Sequence, residues 1–332
     1  MEEIFFEKLK ACPYCGSKNL VILFKSLDRY SNNPGEFFVS RCRDCKLVFQ
    51  NPRIKEEFIG QFYSDSLGYY QPVKNNKETK IKKWLHKKIL TNHFNYDLEK
   101  KSIFYKILTY PFFRFEKERT LSPKYILNGS LLEIGSSYGE RLINLKSLGW
   151  TNLTGVEMNN SAAEYAQGRG LDVRSARIED LEFEESSFDV VILSMVLEHL
   201  YEPFNKLKLI TKWLKPGGQL IFSIPYFDSL PFKIFKQYSY PLHLPHHITF
   251  FNKKILKDFL ASLGYSKIKF YFQYNLRDIK ASASYKYNDT GKYIYKFISQ
   301  NKVFLKFILK PLLFIFSLFF KTSRVSVYAT KK

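Results

Sequence analysis

The sequence predicts an α/β fold: a doubly wound, mostly parallel seven-stranded sheet behind a small cysteine-rich module. Three observations predict it. Residues Leu131–Gly139 read LLEIGSSYG, an apolar strand running into a tight turn of small residues. A second strand, Leu153–Glu157 (LTGVE), ends in a carboxylate 22 residues after Gly135. Through 127–274, apolar runs then alternate with helix-length periodic segments, as in successive βαβ units. In such sheets ligands bind outside the carboxyl ends of the strands, and an acid closing the second strand accepts hydrogen bonds from ribose hydroxyls. The turn is G-x-S-x-G rather than G-x-G-x-x-G. With no third glycine to follow, the pattern argues against a dinucleotide.

All four cysteines lie in the first 45 residues, as Cys12-Pro-Tyr-Cys15 and Cys42-Arg-Asp-Cys45. Two C-x-x-C pairs can turn four sulfurs toward one point, the donor set of a tetrahedral zinc. Four protein ligands leave no open position, so this metal is expected to be structural. Unmetallated thiols or a redox role are the alternatives. Asn19–Lys25 and Glu36–Ser40 read as strands of a small ribbon, and residues 1–70 as one zinc-ribbon module.

The net charge of +21 is unevenly placed. Residues 1–70 carry 10 Lys+Arg against 9 Asp+Glu, and 127–274 carry 16 against 15. Residues 71–126 carry 14 against 5, and 275–332 carry 12 against 2, so these two segments hold +19 of the +21. Both are also rich in Phe, Leu and Ile, as in KIKKWLHKKIL and NKVFLKFILKPLLFIF. Residues 71–126 read as a basic amphipathic helical linker and 275–322 as a hydrophobic helical insertion. Lys far outnumbers Arg there, which favours an anionic membrane surface over nucleic acid. The bland alternative is a pair of core helices with solvated lysines. Val303–Phe320 is apolar but broken by Lys306, Lys310 and Pro311, and the run from Pro311 is about half the ~20 residues of a spanning helix. The start, MEEIFFEK, lacks a signal-peptide pattern. A cytoplasmic protein, peripherally attached to the inner membrane face, is expected.

Strands are placed near 131–134, 153–157, 171–174, 188–193, 219–224 and 267–274, with a last one at Arg324–Thr330. Ser187–Leu200 (SFDVVILSMVLEHL) is a buried strand flowing into a helix start, and Lys206–Pro225 (KLKLITKWLKPGGQLIFSIP) a helix closed by Pro-Gly-Gly before a strand. Five elements in order, E-I-G-S-S-Y-G, G-V-E-M, S-F-D-V-V, L-E-H-L and L-K-P-G-G, resemble the class I S-adenosylmethionine-dependent methyltransferases over roughly 130 residues. The resemblance implies a Rossmann-like methyltransferase domain over 127–332, its last two strands an antiparallel edge pair with 275–322 inserted between them. Residues 11–70, with two cysteine pairs, an apolar strand, Asn51-Pro52, a helix at Glu56–Tyr63 and a tyrosine-rich Gly68-Tyr69-Tyr70, are similar to the zinc-ribbon module that precedes this domain in sugar and glycan-biosynthesis enzymes. Lys46 departs from that pattern, where a glycine commonly follows the last cysteine.

The resemblance implies S-adenosylmethionine as cofactor. Gly135, Ser137 and Gly139 should approach its methionine portion, Glu157 its ribose, and Met158 its adenine; Ser194, at the end of the fourth strand, should also touch it. Ile178 and Glu179 are expected at the adenine edge. Many relatives have an acid where Arg177 stands, leaving Glu179 or backbone groups to bind the adenine amino group. An oxygen acceptor must lose its proton as the C–O bond forms, and histidine titrates in the range a base needs. His246 or His247, in PLHLPHHITFF, is the expected base; the H-H-x-x-F-F pattern lines the acceptor side in the sugar-modifying relatives. His199 is expected at the cofactor edge or helix start. A metal reading of His243, His246 and His247 is disfavoured because no carboxylate lies nearby in sequence.

The resemblance therefore implies O-methylation of a sugar, on a soluble or lipid-linked precursor near a membrane. Methylation of a sugar carbon is one alternative, disfavoured because enzymes of that kind usually carry a substantial extra C-terminal domain. A nucleic-acid or protein methyltransferase with a zinc-ribbon binding module is another. A catalytically dead scaffold is the last, and the intact Gly135, Gly139 and Glu157 argue against it.

Overall fold

The computed structural model describes residues 3–62, 79–319 and 322–332. The tyrosine-rich Gly68–Tyr70 and the first residues of the basic linker fall outside them.

The N-terminal part is a meander. β1 (Phe6–Glu7) pairs with β5 (Arg53–Ile54), while β2 (Leu20–Leu27), β3 (Glu36–Cys42) and β4 (Val48–Gln50) form an antiparallel sheet. The Asn51-Pro52 dipeptide has a defined task. Asn51 Oδ1 accepts from Leu9 N at 2.8 Å and its Nδ2 donates to Leu9 O at 3.1 Å, so one side chain clamps the chain leading to the first cysteine pair. The helix expected at Glu56–Tyr63 is, within the described residues, one 3-10 turn at Ile59–Phe62.

α1 (Lys80–His93) and α2 (Ile103–Phe115) follow, capped by Thr79 and Ser102. The core then alternates β6 (Ser130–Ile134), α3 (Glu140–Ser147), β7 (Asn152–Glu157), α4 (Asn160–Gly168), β8 (Asp172–Ser175), β9 (Phe188–Ser194), α5 (Pro203–Trp213) and β10 (Leu214–Pro225). Next come α6 (Leu230–Phe235), β11 (Thr249–Phe250), α7 (Lys253–Ser262) and β12 (Tyr265–Gln273). The insertion holds α8 (Leu276–Thr290), α9 (Tyr293–Gln300), a π-helical turn at Phe304–Leu309 and α10 (Lys310–Phe319), before β13 (Arg324–Lys331).

Seven strands form one sheet in the order β12-β13-β10-β9-β6-β7-β8. β13 runs antiparallel to both β10 and β12, and the other pairs are parallel. This is the predicted Rossmann-like sheet, with its strands where the apolar runs put them. β9 is central, and Val190, Val191, Ile192 and Leu193 are all fully buried. A strand covered on both faces has no reason to alternate polar and apolar residues.

Two further features position the site. β11 does not join the large sheet; it pairs with β4 and makes the N-terminal sheet four-stranded, in the order β11-β4-β3-β2. The segment carrying His246 and His247 is thus stitched into the cysteine module. At the far side, the two basic apolar segments meet: the Phe115 and Phe314 rings stack at 5.1 Å, and the Arg114 guanidinium donates to Ser317 O at 2.7 Å.

Candidate active site

A cavity of about 530 Å³ opens at the carboxyl ends of β6, β7 and β9. Gly135, Ser137, Glu157, Met158, Ile178, Glu179, Ser194 and His199 all line it. Gly135 has φ +73°, and a Cβ there would sit 2.4 Å from Val196 Cγ2, so both conformation and space select glycine. Gly139 does not line the cavity. It starts α3 behind the turn, where a Cβ would meet Leu171 Cδ1 at 2.3 Å, so its task is packing rather than contact with a ligand.

Glu157 is 6% exposed and has two partners from its own turn. Ser137 N donates to Oε2 at 2.8 Å and Asn159 N donates to Oε1 at 2.9 Å. A carboxylate has about four lone-pair sites, so both oxygens can still accept from a pair of vicinal hydroxyls. The same side chain therefore pins the turn and faces the cavity. Met158 beside it is 59% exposed and lines the same cavity.

At the other end of the cavity, Glu179 accepts from Arg177 Nε at 3.0 Å and pairs with Lys206 Nζ at 3.2 Å, while Arg177 also pairs with Glu56. Burial pushes the Glu179 carboxyl up, but its own backbone N–H, Lys206 and Arg177 together hold it below its usual range. Glu179 is thus engaged by cations, and Ile178 is the apolar neighbour on that wall. Glu56, Glu57, Ile59 and Gly60 complete it, so the chain leaving the cysteine module closes one side of the cavity.

The histidines sort differently from the sequence expectation. Only His199 of the three candidates lines the cavity. His246 is 1% exposed and its Nε2–H donates to Phe62 O at 2.9 Å; His247 is 3% exposed and its Nδ1–H donates to Pro241 O at 2.9 Å. Their placement follows from β11, which draws this stretch beneath the cysteine module. His247 and His199 meet edge to face, ring centroids 4.5 Å apart. Burial, reinforced by His246, pushes the His199 imidazole down to about 3, and burial also holds His246 and His247 low, so all three are neutral at pH 7. Sequence reasoning missed Glu198. It is fully buried, 3.8 Å from His247 Nε2, and burial raises its carboxyl to about 8. Its backbone carbonyl accepts from Ile248 N at 2.9 Å, which brings the L-E-H turn to the two-histidine stretch.

The four cysteines converge. Cys12 Sγ lies 3.5 Å from Cys45 Sγ and Cys15 Sγ 3.6 Å from Cys42 Sγ, with all four sulfurs within 4.8 Å of one another. A tetrahedral ion with Zn–S near 2.3 Å sets sulfurs about 3.8 Å apart, so the donor set and spacing fit. The two knuckles match in conformation: Gly16 has φ +71° and Lys46, the departure from the glycine pattern, adopts the same region at φ +66°.

A second concavity, of about 620 Å³, lies between the cysteine module and the core. Arg41, Lys46, Lys233, Lys236, Lys253 and Lys254 line it over an aromatic floor of Tyr226, Phe227, Phe232 and Phe250, with Asp228 the one acid among the lining residues.

Residues 113–269 match the family model described as "Methyltransferase domain". An uncharacterised protein of Methanocaldococcus jannaschii is 28% identical over 157 residues, 47% of this chain and 73% of that protein. Phthiotriol/phenolphthiotriol dimycocerosates methyltransferase 1 of Mycobacterium ulcerans is 31% identical over 111 residues. That match covers 32% of this chain and 41% of the mycobacterial protein, so the chain spans well under half the length of that relative. Among solved structures, an S-adenosylmethionine-dependent methyltransferase of Thermotoga maritima is 20% identical, covers 62% of this chain and 84% of its own, and superposes with a TM-score of 0.42.

Proposed function

We propose that this S-adenosylmethionine-dependent methyltransferase O-methylates a sugar carried on a phosphorylated precursor, at an anionic membrane surface. The observation that carries the reading is the second concavity. Lys233 pairs with Asp228 and Lys254 with Asp258, but Arg41, Lys46, Lys236 and Lys253 add four further cationic side chains over the aromatic floor, which suits a phosphate or diphosphate joined to a flat or cyclic group. The resemblance of the cysteine module to that of sugar-modifying enzymes supports the same acceptor class. A structural zinc at Cys12, Cys15, Cys42 and Cys45 belongs to this reading, since it would fix the sheet that β11 completes.

The chemistry is an in-line displacement at the sulfonium-bound methyl. The cofactor supplies the activated carbon; the chain's residues orient both partners and manage one proton. Glu157 would hold the ribose and Met158 the adenine. His199 marks the acceptor end, being the histidine that reaches the cavity. Exposed apolar side chains on α2 and on the 293–318 stretch, including Ile107, Phe104, Phe307 and Ile315, supply the membrane face. No helix among the described residues is long and apolar enough to cross a membrane.

The test uses trideuteromethyl cofactor with a panel of nucleotide sugars and lipid-linked diphosphate saccharides, the product read by mass and by NMR. A deuterated O-methyl signal on the sugar is expected. A C-methyl signal would replace the reading with carbon methylation, and transfer only to RNA or protein would overturn it.

A further inference from the structure

No carboxylate lies near His246 and His247 in sequence, but the fold supplies one. Glu198 Oε1 and Oε2 are buried without a hydrogen-bond donor among the described residues. His247 Nε2 lies 3.8 Å from Oε1. That nitrogen brings no proton: a carbonyl only accepts, so the bond from Nδ1 to Pro241 O fixes the hydrogen on Nδ1 and leaves a lone pair on Nε2. His199 is held in the same way, by a hydrogen bond from its ring to the His246 backbone. Arg324, whose charge acts on Glu198, has its Nε and Nη2 on the Asp278 carboxylate at 2.9 Å each. Neutral imidazoles thus turn toward the Glu198 carboxyl, and among the described residues no lysine or arginine forms an ion pair with it.

We propose that Glu198, His199 and His247 hold a divalent first-row cation, with zinc(II) the simplest candidate, at the acceptor end of the cavity. One ligand atom from each lies within 4.8 Å of the others. Donors about 2.1 Å from one ion sit about 3 to 3.5 Å apart, so closing on it asks for side-chain movements of about 1 Å. Two imidazoles and one carboxylate are the ligand set of open divalent sites, in which remaining positions take water or substrate. Imidazoles whose other ring nitrogen is tied to backbone are also the usual supports of such ligands. The three residues come from a 3-10 turn and a stretch pinned by β11, so the site is built by tertiary structure.

The consequence for catalysis rests on the acceptor reading above; the presence of the ion does not. His199 lines the cavity, so the ion's open positions would take an acceptor hydroxyl, and His199 would act as ligand rather than base. Coordination lowers the hydroxyl pKa. The O–CH₃ bond forms as the C–S bond breaks, the electron pair goes to sulfur, and the hydroxyl proton leaves with a cavity water.

The experiment is metal titration of the stripped full chain with cobalt(II) alone and zinc(II) alone. Two equivalents are expected, one with the thiolate charge-transfer band of the four-cysteine set and one without it. Glu198→Gln and His199→Ala should each lose the second equivalent and keep the first, with circular dichroism and the thermal melt as the check on folding. A wild-type chain that takes up only thiolate-bound metal overturns the proposal, as do variants that retain both equivalents. If one variant fails to fold, the other and the wild-type stoichiometry still decide. Two ions bound with no methyl transfer to any sugar would strike the acceptor reading and leave the site standing.

Discussion

Glu157 does two jobs with one carboxylate, which makes its replacement informative. Ser137 N and Asn159 N already bind it from the protein side. A ribose would add two hydroxyl donors to the same charged acceptor, each worth about 1.5–3 kcal/mol. Glu157→Ala should therefore weaken cofactor binding by about 100-fold or more, read by calorimetry. Unchanged affinity would remove the ribose assignment. Glu157→Gln should fall between, because an amide keeps one acceptor oxygen but brings an N–H toward backbone donors. Gly135→Ala should also weaken binding, through the 2.4 Å approach to Val196 rather than through a lost hydrogen bond.

At the scale of elements, β6 joins the turn to a buried acid. Glu133 is 3% exposed and accepts from Arg141 Nε at 2.7 Å, yet burial, which outweighs Arg141, raises its carboxyl to about 7. Unfolded, it titrates near 4.5. Between these values the folded chain binds the proton and the unfolded chain does not, so stability from this group is present below pH 4.5 and lost as pH rises to about 7. The slope is at most about 1.4 kcal/mol per pH unit. Thermal melts of wild type and Glu133→Gln from pH 5 to 8 should show a flatter profile in the variant; parallel profiles would mean that Glu133 is ionised throughout. The strands were legible because period-free apolar runs bounded by Gly, Pro and Asn have few other readings, and the turn and Glu157 because a βαβ unit brings the end of each strand to the same sheet edge. The four cysteines were legible because two knuckles can converge on one point without knowledge of the rest. The histidine cluster was not. It depends on β11, a strand of two residues with no periodic signal, and on a contact between Glu198 and His247 across 49 positions of sequence. Assigning the base to His246 or His247 assumed that the cavity edge follows chain order, whereas pairing with β4 turns that stretch inward.

For the whole molecule, the question is why a nearly neutral core carries two basic, apolar segments. They are far apart in sequence but share one face of the fold, joined by the Phe115–Phe314 stack and the Arg114–Ser317 hydrogen bond. Side chains from both remain uncovered: Ile81, Ile103 and Ile107 are 77%, 74% and 70% exposed, and Val303 and Phe307 67% and 65%. A core-helix explanation requires these positions to be packed, and they are not. On the membrane reading, uncovered Ile and Phe beside lysine-rich helices would bind anionic lipid by two additive terms, apolar burial and electrostatic attraction. Each fully buried Ile or Phe contributes about 1.5–3 kcal/mol, so Ile107→Glu with Phe307→Glu should weaken binding to anionic vesicles by about 100-fold or more. Neither side chain is in the core, so cofactor affinity should stay at the wild-type value. Sedimentation with vesicles of anionic and of neutral lipid, each at low and high salt, separates the terms: salt should remove the preference for anionic lipid, and the double substitution should remove the residual binding. A wild-type chain that ignores vesicles yet binds RNA with a steep salt dependence would move the acceptor to nucleic acid, since counterion release rather than apolar burial would then explain the charge.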